Sequence, residues 1–229
     1  MDKWYPVHLD MTGRHCVIIG GGHIAVRRIH GLLEVGAHVT VISPQCHPEI
    51  LQLAEEGSVS IVQQDYRGEE DLVNADLIFA ATNDELVNKW IADDAKKLRI
   101  PLNHVGDSKS STFILPAVLR RGQLIMSVST SGASPGLAKQ IRDELTHHYG
   151  DEYKIYVDFL SELREWVMMK VVNERDRAKI FHRVLKFDIL ELIRVEKLHV
   201  LRSWLQIVLD QELQDVDWQQ QFKLYASKL

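Results

Sequence analysis

Cysteine is scarce in this chain of 229 residues. Cys16 and Cys46 are the only two, and their spacing fits neither a metal-ligand set nor a disulfide framework. Reduced thiols in a cytoplasmic protein are the expectation. A charge excess of one sign is also missing. Lys+Arg number 27 against 32 Asp+Glu, a net charge of −5, divided 14 against 18 through residue 150 and 13 against 14 beyond it. Neither part is therefore a basic platform for nucleic acid. No apolar run approaches the roughly 18 residues of a membrane span. The opening MDKWYPVHLD lacks the apolar core of a signal peptide. Proline and glycine are absent after Gly150, and there is neither an internal repeat nor a low-complexity segment. The remaining composition, 45% hydrophobic and 26% charged, is that of a folded globular chain rather than a disordered one. Its length exceeds one average domain.

What is present alternates. A strand is expected at 15–19 (HCVII), where Cys16-Val17-Ile18-Ile19 is a short continuous apolar run, as a central parallel strand covered on both faces requires. Gly20-Gly21-Gly22 follows, then a helical pattern over 23–35 with Ile24, Ile29, Leu32 and Leu33 as its apolar face and Gly36 at its end. A second strand is expected at 38–42, a helix at 49–56 and strands at 59–63 and 77–81 (LIFAA). A helix at 84–98 and a strand at 100–104 continue the series. Strands alternating with helices predict a parallel sheet with helices on both faces. Beyond it, residues 112–115 and 123–128 read as strands, and the polar loop STSGASP at 129–135 leads into a helix over 136–148. From Asp151 the apolar residues recur at helical spacing: Tyr156, Phe159, Leu160, Leu163 and Val167, then Ile180, Val184, Phe187, Leu190 and Ile193, then Leu198, Leu201, Leu205 and Val208.

Gly20-Gly21-Gly22-His23-Ile24-Ala25 fits G-x-G-x-x-A between a strand and a helix, the context that turns a weak motif into a dinucleotide site. Gly20 permits the tight turn, Gly22 clears space for a pyrophosphate, and Ala25 allows close packing of the helix. The helix N-terminus, at His23 and Ile24, offers amides to the anion. At the end of the second strand, Ser43-Pro44 carries neither an acid for a ribose hydroxyl nor an Arg for a 2′-phosphate. Ser43 is the expected hydrogen-bonding group there, which favours NAD over NADP. Thr82 and Asn83 stand where a later strand ends, facing cofactor, with Asn88 one helical turn on. Asp84 reads equally as an N-cap. Asp107 is the only carboxylate between Asp94 and Asp143, either a general base or a solvated turn residue. His104 reads either as a packed strand residue or as a proton carrier. Arg120, Arg121, Lys139 and Arg142 bracket the Ser/Thr loop and together suit a polyanion, though each taken alone reads first as part of a solvated face. No G-x-S-x-G, H-E-x-x-H or P-loop is present, and the neighbouring His147-His148 is not a metal pair.

Several segments converge on one family. Leu9-Asp10, GGGHIAVRR at 20–28, LIFAATND at 77–84 with Asn88, Asn103, FILPA at 113–117 and SVSTSGASPGLAKQIR at 127–142 resemble the precorrin-2 dehydrogenases of the siroheme-synthase N-terminal type, in the same order over residues 6–150. The resemblance implies an α/β fold: a Rossmann-like parallel sheet over 1–112, a small α+β dimerisation region with a substrate loop over 113–150, and a C-terminal helical module over 151–229. It implies NAD-dependent oxidation of precorrin-2, a tetrapyrrole with eight carboxylates, to sirohydrochlorin in siroheme biosynthesis. It also implies a cytoplasmic homodimer without nucleic-acid or membrane partners. Ser129 falls on the family's serine in the tetrapyrrole cleft, with Thr130, Arg120 and Arg142 beside it as substrate groups. Asp107 falls near the family's functional aspartate, but many members read N-V-V-D where this chain reads N-H-V-G-D, one residue longer. Some members also insert iron, so a bifunctional dehydrogenase and ferrochelatase is one alternative. A non-catalytic dinucleotide-sensing module is another. No resident metal is expected.

Overall fold

The computed structural model describes residues 4–195 together with 197, 200, 203 and 204. They form two units, one running to Leu115 and including Ser131–Ala133, the other comprising Pro116–Thr130 and residues from 134 onward.

In the first unit, β1 (His15–Ile19), β2 (His38–Ile42), β3 (Ser60–Val62), β4 (Leu77–Ala80) and β5 (Leu102–His104) form one parallel sheet in the order β3-β2-β1-β4-β5. The order reverses between β1 and β4, the switch point where open α/β sheets bind ligands beyond their strand ends. The continuous apolar runs are explained by two cores. Cys16, Ile18, Val39, Val41 and Phe79 pack on one face against α1 (His23–Leu33) and Ile50 of α2 (Pro48–Glu55). Val17, Ile19, Ile42 and Ile78 pack on the other against Ile91 and Ala95 of α3 (Glu85–Leu98). The face of α1 differs from expectation. Ala25, Val26, Ile29 and Leu32 are its buried residues, while Ile24 is 41% exposed. At 100° per residue, 25, 29 and 32 form one row and Ile24 falls outside it. The helix also stops at Leu33, two residues short, because Gly36 takes φ +73 and the last turn tightens onto it.

In the second unit, β6 (Ala117–Arg121) and β7 (Leu124–Val128) form an antiparallel hairpin, followed by α4 (Pro135–His148), α5 (Glu152–Lys170), α6 (Glu174–Lys186) and α7 (Ile189–Arg194). The strand expected at 112–115 is not formed. The Thr112 and Phe113 amides both donate to the Leu102 carbonyl, at 2.8 and 3.4 Å, and no ladder follows. Pro116 has no N–H to give a ladder, so pairing begins at Ala117 opposite Val128. Gly122, at φ +57, then turns the chain in a two-residue loop. Helices α5, α6 and α7 share one core in which Phe159, Leu163, Trp166 and Val167 of α5 meet Ile180 and Val184 of α6 and Ile189 and Ile193 of α7. Leu198, Leu201, Leu205 and Val208 lie outside the described residues. Among the described residues no helix is long and apolar enough to cross a membrane.

Candidate cofactor and substrate site

The three glycines after β1 do different work. At Gly20 (φ +110) a Cβ would run into the Ala81 carbonyl oxygen, and at Gly21 into that of Gln45. These two let the turn pass between the ends of β4 and β2. A Cβ at Gly22 meets nothing within 4 Å, although Gly22 is the N-cap of α1. Of the three α-helices of this unit, α2 is capped by His47 and α3 by Asp84, whereas α1 has no side-chain cap and no acid in its first turn. An open approach to an uncapped helix N-terminus is the arrangement a pyrophosphate completes, so the residues present fit a dinucleotide.

Around this turn, His23 is exposed and its ring lies 4.4 Å, centroid to centroid, from that of His47. His47 accepts the Glu49 N–H through Nδ1 at 3.3 Å. Sequence reasoning missed it, although a His directly before a Pro that opens a helix was its signal. Ser43 is buried, and its hydroxyl donates to the Gln45 carbonyl at 2.7 Å, so the proton expected to serve a ribose closes the Ser43–Cys46 turn instead. Pro44 is exposed beside it.

After β4, Asp84 proves to be the N-cap of α3, accepting from Leu86 and Val87 at 2.8 and 3.1 Å. Buried Asn88 grips Thr82. Its Oδ1 accepts from the Thr82 hydroxyl at 2.8 Å and amide at 3.3 Å, and its Nδ2 donates to the Thr82 carbonyl at 3.0 Å. Thr82 is thus held from within, and Asn83 is left exposed at the loop tip. Replacing Asn88 by Ala takes this partner from the Thr82 amide and carbonyl, while the Thr82 hydroxyl keeps the Asp84 carbonyl at 3.0 Å. The expected result is a loss of about 1–3 kcal/mol in urea unfolding.

Beyond β5, Asp107 closes a turn. Its Oδ2 accepts the Ser110 hydroxyl at 2.5 Å and its Oδ1 the Lys109 amide at 2.8 Å. The Ser110 hydroxyl, then the Lys109 amide, hold its carboxyl below the ordinary value of 3.8, with the Ser110 amide and His104 adding to the effect. Gly20, Gly22, His23, Ile24, Ser43, Pro44, Thr82, Asn83 and Asp107 therefore all sit beyond the carboxyl ends of the sheet strands.

The substrate candidates Ser129, Thr130, Arg120 and Arg142 belong to the second unit. Thr130 braces the start of α4: its hydroxyl donates to the Ser134 carbonyl and accepts the Ser134 amide, both at 3.0 Å. Ser134 in turn caps α4 at Leu137. Arg120 is exposed on β6. Arg121 donates to the Tyr149 carbonyl at 3.0 Å and lies 3.3 Å from Asp151. Arg142 places Nε 2.6 Å from Asp143 Oδ1, an ion pair without hydrogen-bond geometry. Its charge thus has a neighbour that helical spacing did not single out. Among the described residues no three His, Cys, Asp or Glu side chains gather as a metal-ligand set.

A family model for NAD(P)-binding proteins matches residues 7–117, and one for the central part of sirohaem biosynthesis proteins matches 121–148. The precorrin-2 dehydrogenase of Priestia megaterium is 39% identical over 181 residues, 79% of this chain and 89% of that one. The chain belongs to the precorrin-2 dehydrogenase family. The solved structure of SirC, precorrin-2 dehydrogenase, is similar to this one with a TM-score of 0.73 at 33% identity, over 90% of this chain and 100% of that one. The siroheme synthase of Nitrosospira multiformis is 34% identical over 217 residues, 93% of this chain and 46% of its own length. The chain thus spans about half the length of that longer relative. The Rossmann-like sheet followed by helices is the fold expected from the sequence.

Proposed function

We propose that the protein oxidises precorrin-2 to sirohydrochlorin with NAD⁺ as hydride acceptor, a step of siroheme biosynthesis. The observation that carries the reading is the uncapped N-terminus of α1 behind an open Gly22, in a chain that also carries the sirohaem-specific segment at 121–148. The dinucleotide supplies the hydride acceptor. The protein's own groups position and neutralise. The first-turn amides of α1, at Gly22, His23 and Ile24, receive the diphosphate. Ser43 and Pro44 shape the ribose edge, and Thr82 and Asn83 the loop beyond β4. Arg120 and Arg142 pair with substrate carboxylates, Ser129 and Thr130 offer hydroxyls, and Asp107 serves proton removal. The division 1–112, 113–150 and 151–229 assigns dimer formation to the middle part. The active species in this reading is a cytoplasmic homodimer.

An anaerobic assay tests it. Precorrin-2 and NAD⁺ are expected to give the absorbance of sirohydrochlorin and of NADH in equal amounts. Later addition of Fe²⁺ or Co²⁺ reads out chelation separately. No spectral change with NAD⁺ rejects the dehydrogenase.

A further inference from the structure

Asp107 serves proton removal, yet its carboxylate is poorly placed to hold the proton itself. It already accepts two hydrogen bonds within its turn, and these favour its charged form. A second group lies beside it. His104 ends β5, and its side chain is 11% exposed. Its Nδ1 is a buried nitrogen with no hydrogen-bond partner, 3.8 Å from Asp107 Oδ2. A buried nitrogen facing a carboxylate just beyond bonding distance is unsatisfied at rest and gains a partner once protonated. The backbone holds the ring in this place: the His104 amide donates to Ser111 Oγ at 2.9 Å, and its carbonyl accepts the Asp107 amide at 3.3 Å. From the turn, the titratable and charged groups are Asp107 and Lys109. From β4 (LIFA) there is none. Among the described residues Asp107 alone lies within ion-pair distance of the ring.

The geometry points to His104 as the group that takes the proton released when precorrin-2 gives up hydride, with Asp107 as the positioning residue that orients the imidazole and stabilises the imidazolium. The inference rests on the dehydrogenation proposed above. One C–H bond of the macrocycle breaks with its electron pair, and hydride passes to NAD⁺. One proton leaves the macrocycle for the imidazole and is then released to solvent. The macrocycle is oxidised to sirohydrochlorin by the loss of two hydrogens in all, one as hydride and one as proton, giving NADH and H⁺. In N-H-V-G-D, Gly106 at φ +90 folds the carboxylate back toward the histidine three positions earlier.

The test is kcat/KM for precorrin-2 against pH in the full chain, with NAD⁺ affinity measured alongside by calorimetry. The wild type is expected to lose activity as pH falls and the imidazole becomes protonated before turnover. His104→Gln is expected to lose about 100-fold in kcat/KM and to abolish that acid limb, with NAD⁺ affinity within twofold. Asp107→Asn, which keeps the turn's shape, is expected to move the acid limb to lower pH, because the imidazolium loses its anion. A structural role would leave the limb in place. His104→Ala rescued by added imidazole would support the same assignment. A wild type that oxidises precorrin-2 alongside a His104→Gln variant within threefold of it, or an acid limb that survives that substitution, overturns the role of His104 alone. A wild type that gives no sirohydrochlorin overturns the function as well.

Discussion

Gly22→Asp is expected to weaken NAD⁺ binding by more than about 100-fold while leaving the melting temperature unchanged or slightly raised. Both halves follow from one atom's surroundings. Gly22 sits at φ −88 and ψ −172, backbone that any residue adopts, and a Cβ there touches nothing within 4 Å. The fold therefore has no need of glycine at this position. Aspartate is among the best N-cap residues, worth a few tenths of a kcal/mol over glycine, so the helix gains a side-chain cap it now lacks. The gain is also the damage. A carboxylate that accepts from the first-turn amides occupies the diphosphate's donors and repels its charge. A hundredfold loss corresponds to about 2.8 kcal/mol, within reach of two or three charge-assisted hydrogen bonds. Calorimetric titration with NAD⁺ and a thermal melt of the same preparation check it. Undiminished affinity would place the diphosphate away from α1.

The turn was legible because its requirements are local. Residues 15–19 and 38–42 stand as β1 and β2 at the expected bounds, since four consecutive apolar or β-branched residues behind a histidine, each run closed by a turn sequence, leave the chain little choice. Asp84 was open between cap and cofactor group, and the spacing to Leu86 and Val87 decided it. Other features depended on partners that sequence does not order. Ser43 spends its proton two residues away, on Gln45. Arg142 is drawn to the very next residue, Asp143, instead of standing clear on its helix. His104 was left between packing and chemistry because the decisive neighbour, Asp107, is brought near by a glycine at positive φ that only the folded turn reveals. The hairpin was misplaced by one strand: residues 112–115 have strand composition, but Pro116 delays the ladder, and the register is set by the Gly122 turn.

Gly20→Ala, two residues from the cofactor substitution, is expected to have the opposite profile. It should cost about 3–5 kcal/mol and lower the melting temperature by roughly 10 °C or more. Two penalties add. The residue takes φ +110, a region that L side chains rarely adopt and that costs a non-glycine residue about 1–3 kcal/mol. The new Cβ also points into the Ala81 carbonyl oxygen, with Ala81 C at 2.7 Å and Thr82 N at 3.0 Å, all main chain. No rotamer change relieves such a contact. The end of β1 must move from the end of β4, yet both are fixed: the Gly20 amide donates to Ile42 at 2.9 Å and the Ala81 amide to Ile19 at 2.8 Å. Over-packing of this kind costs about 1–3 kcal/mol more. Against a total of about 5–15 kcal/mol for a typical domain, the loss is large enough to read in a single denaturant titration. A melt within two degrees of wild type would show that the turn relaxes without cost, and the distinction between a glycine required by the fold and a glycine required by the ligand would then fall.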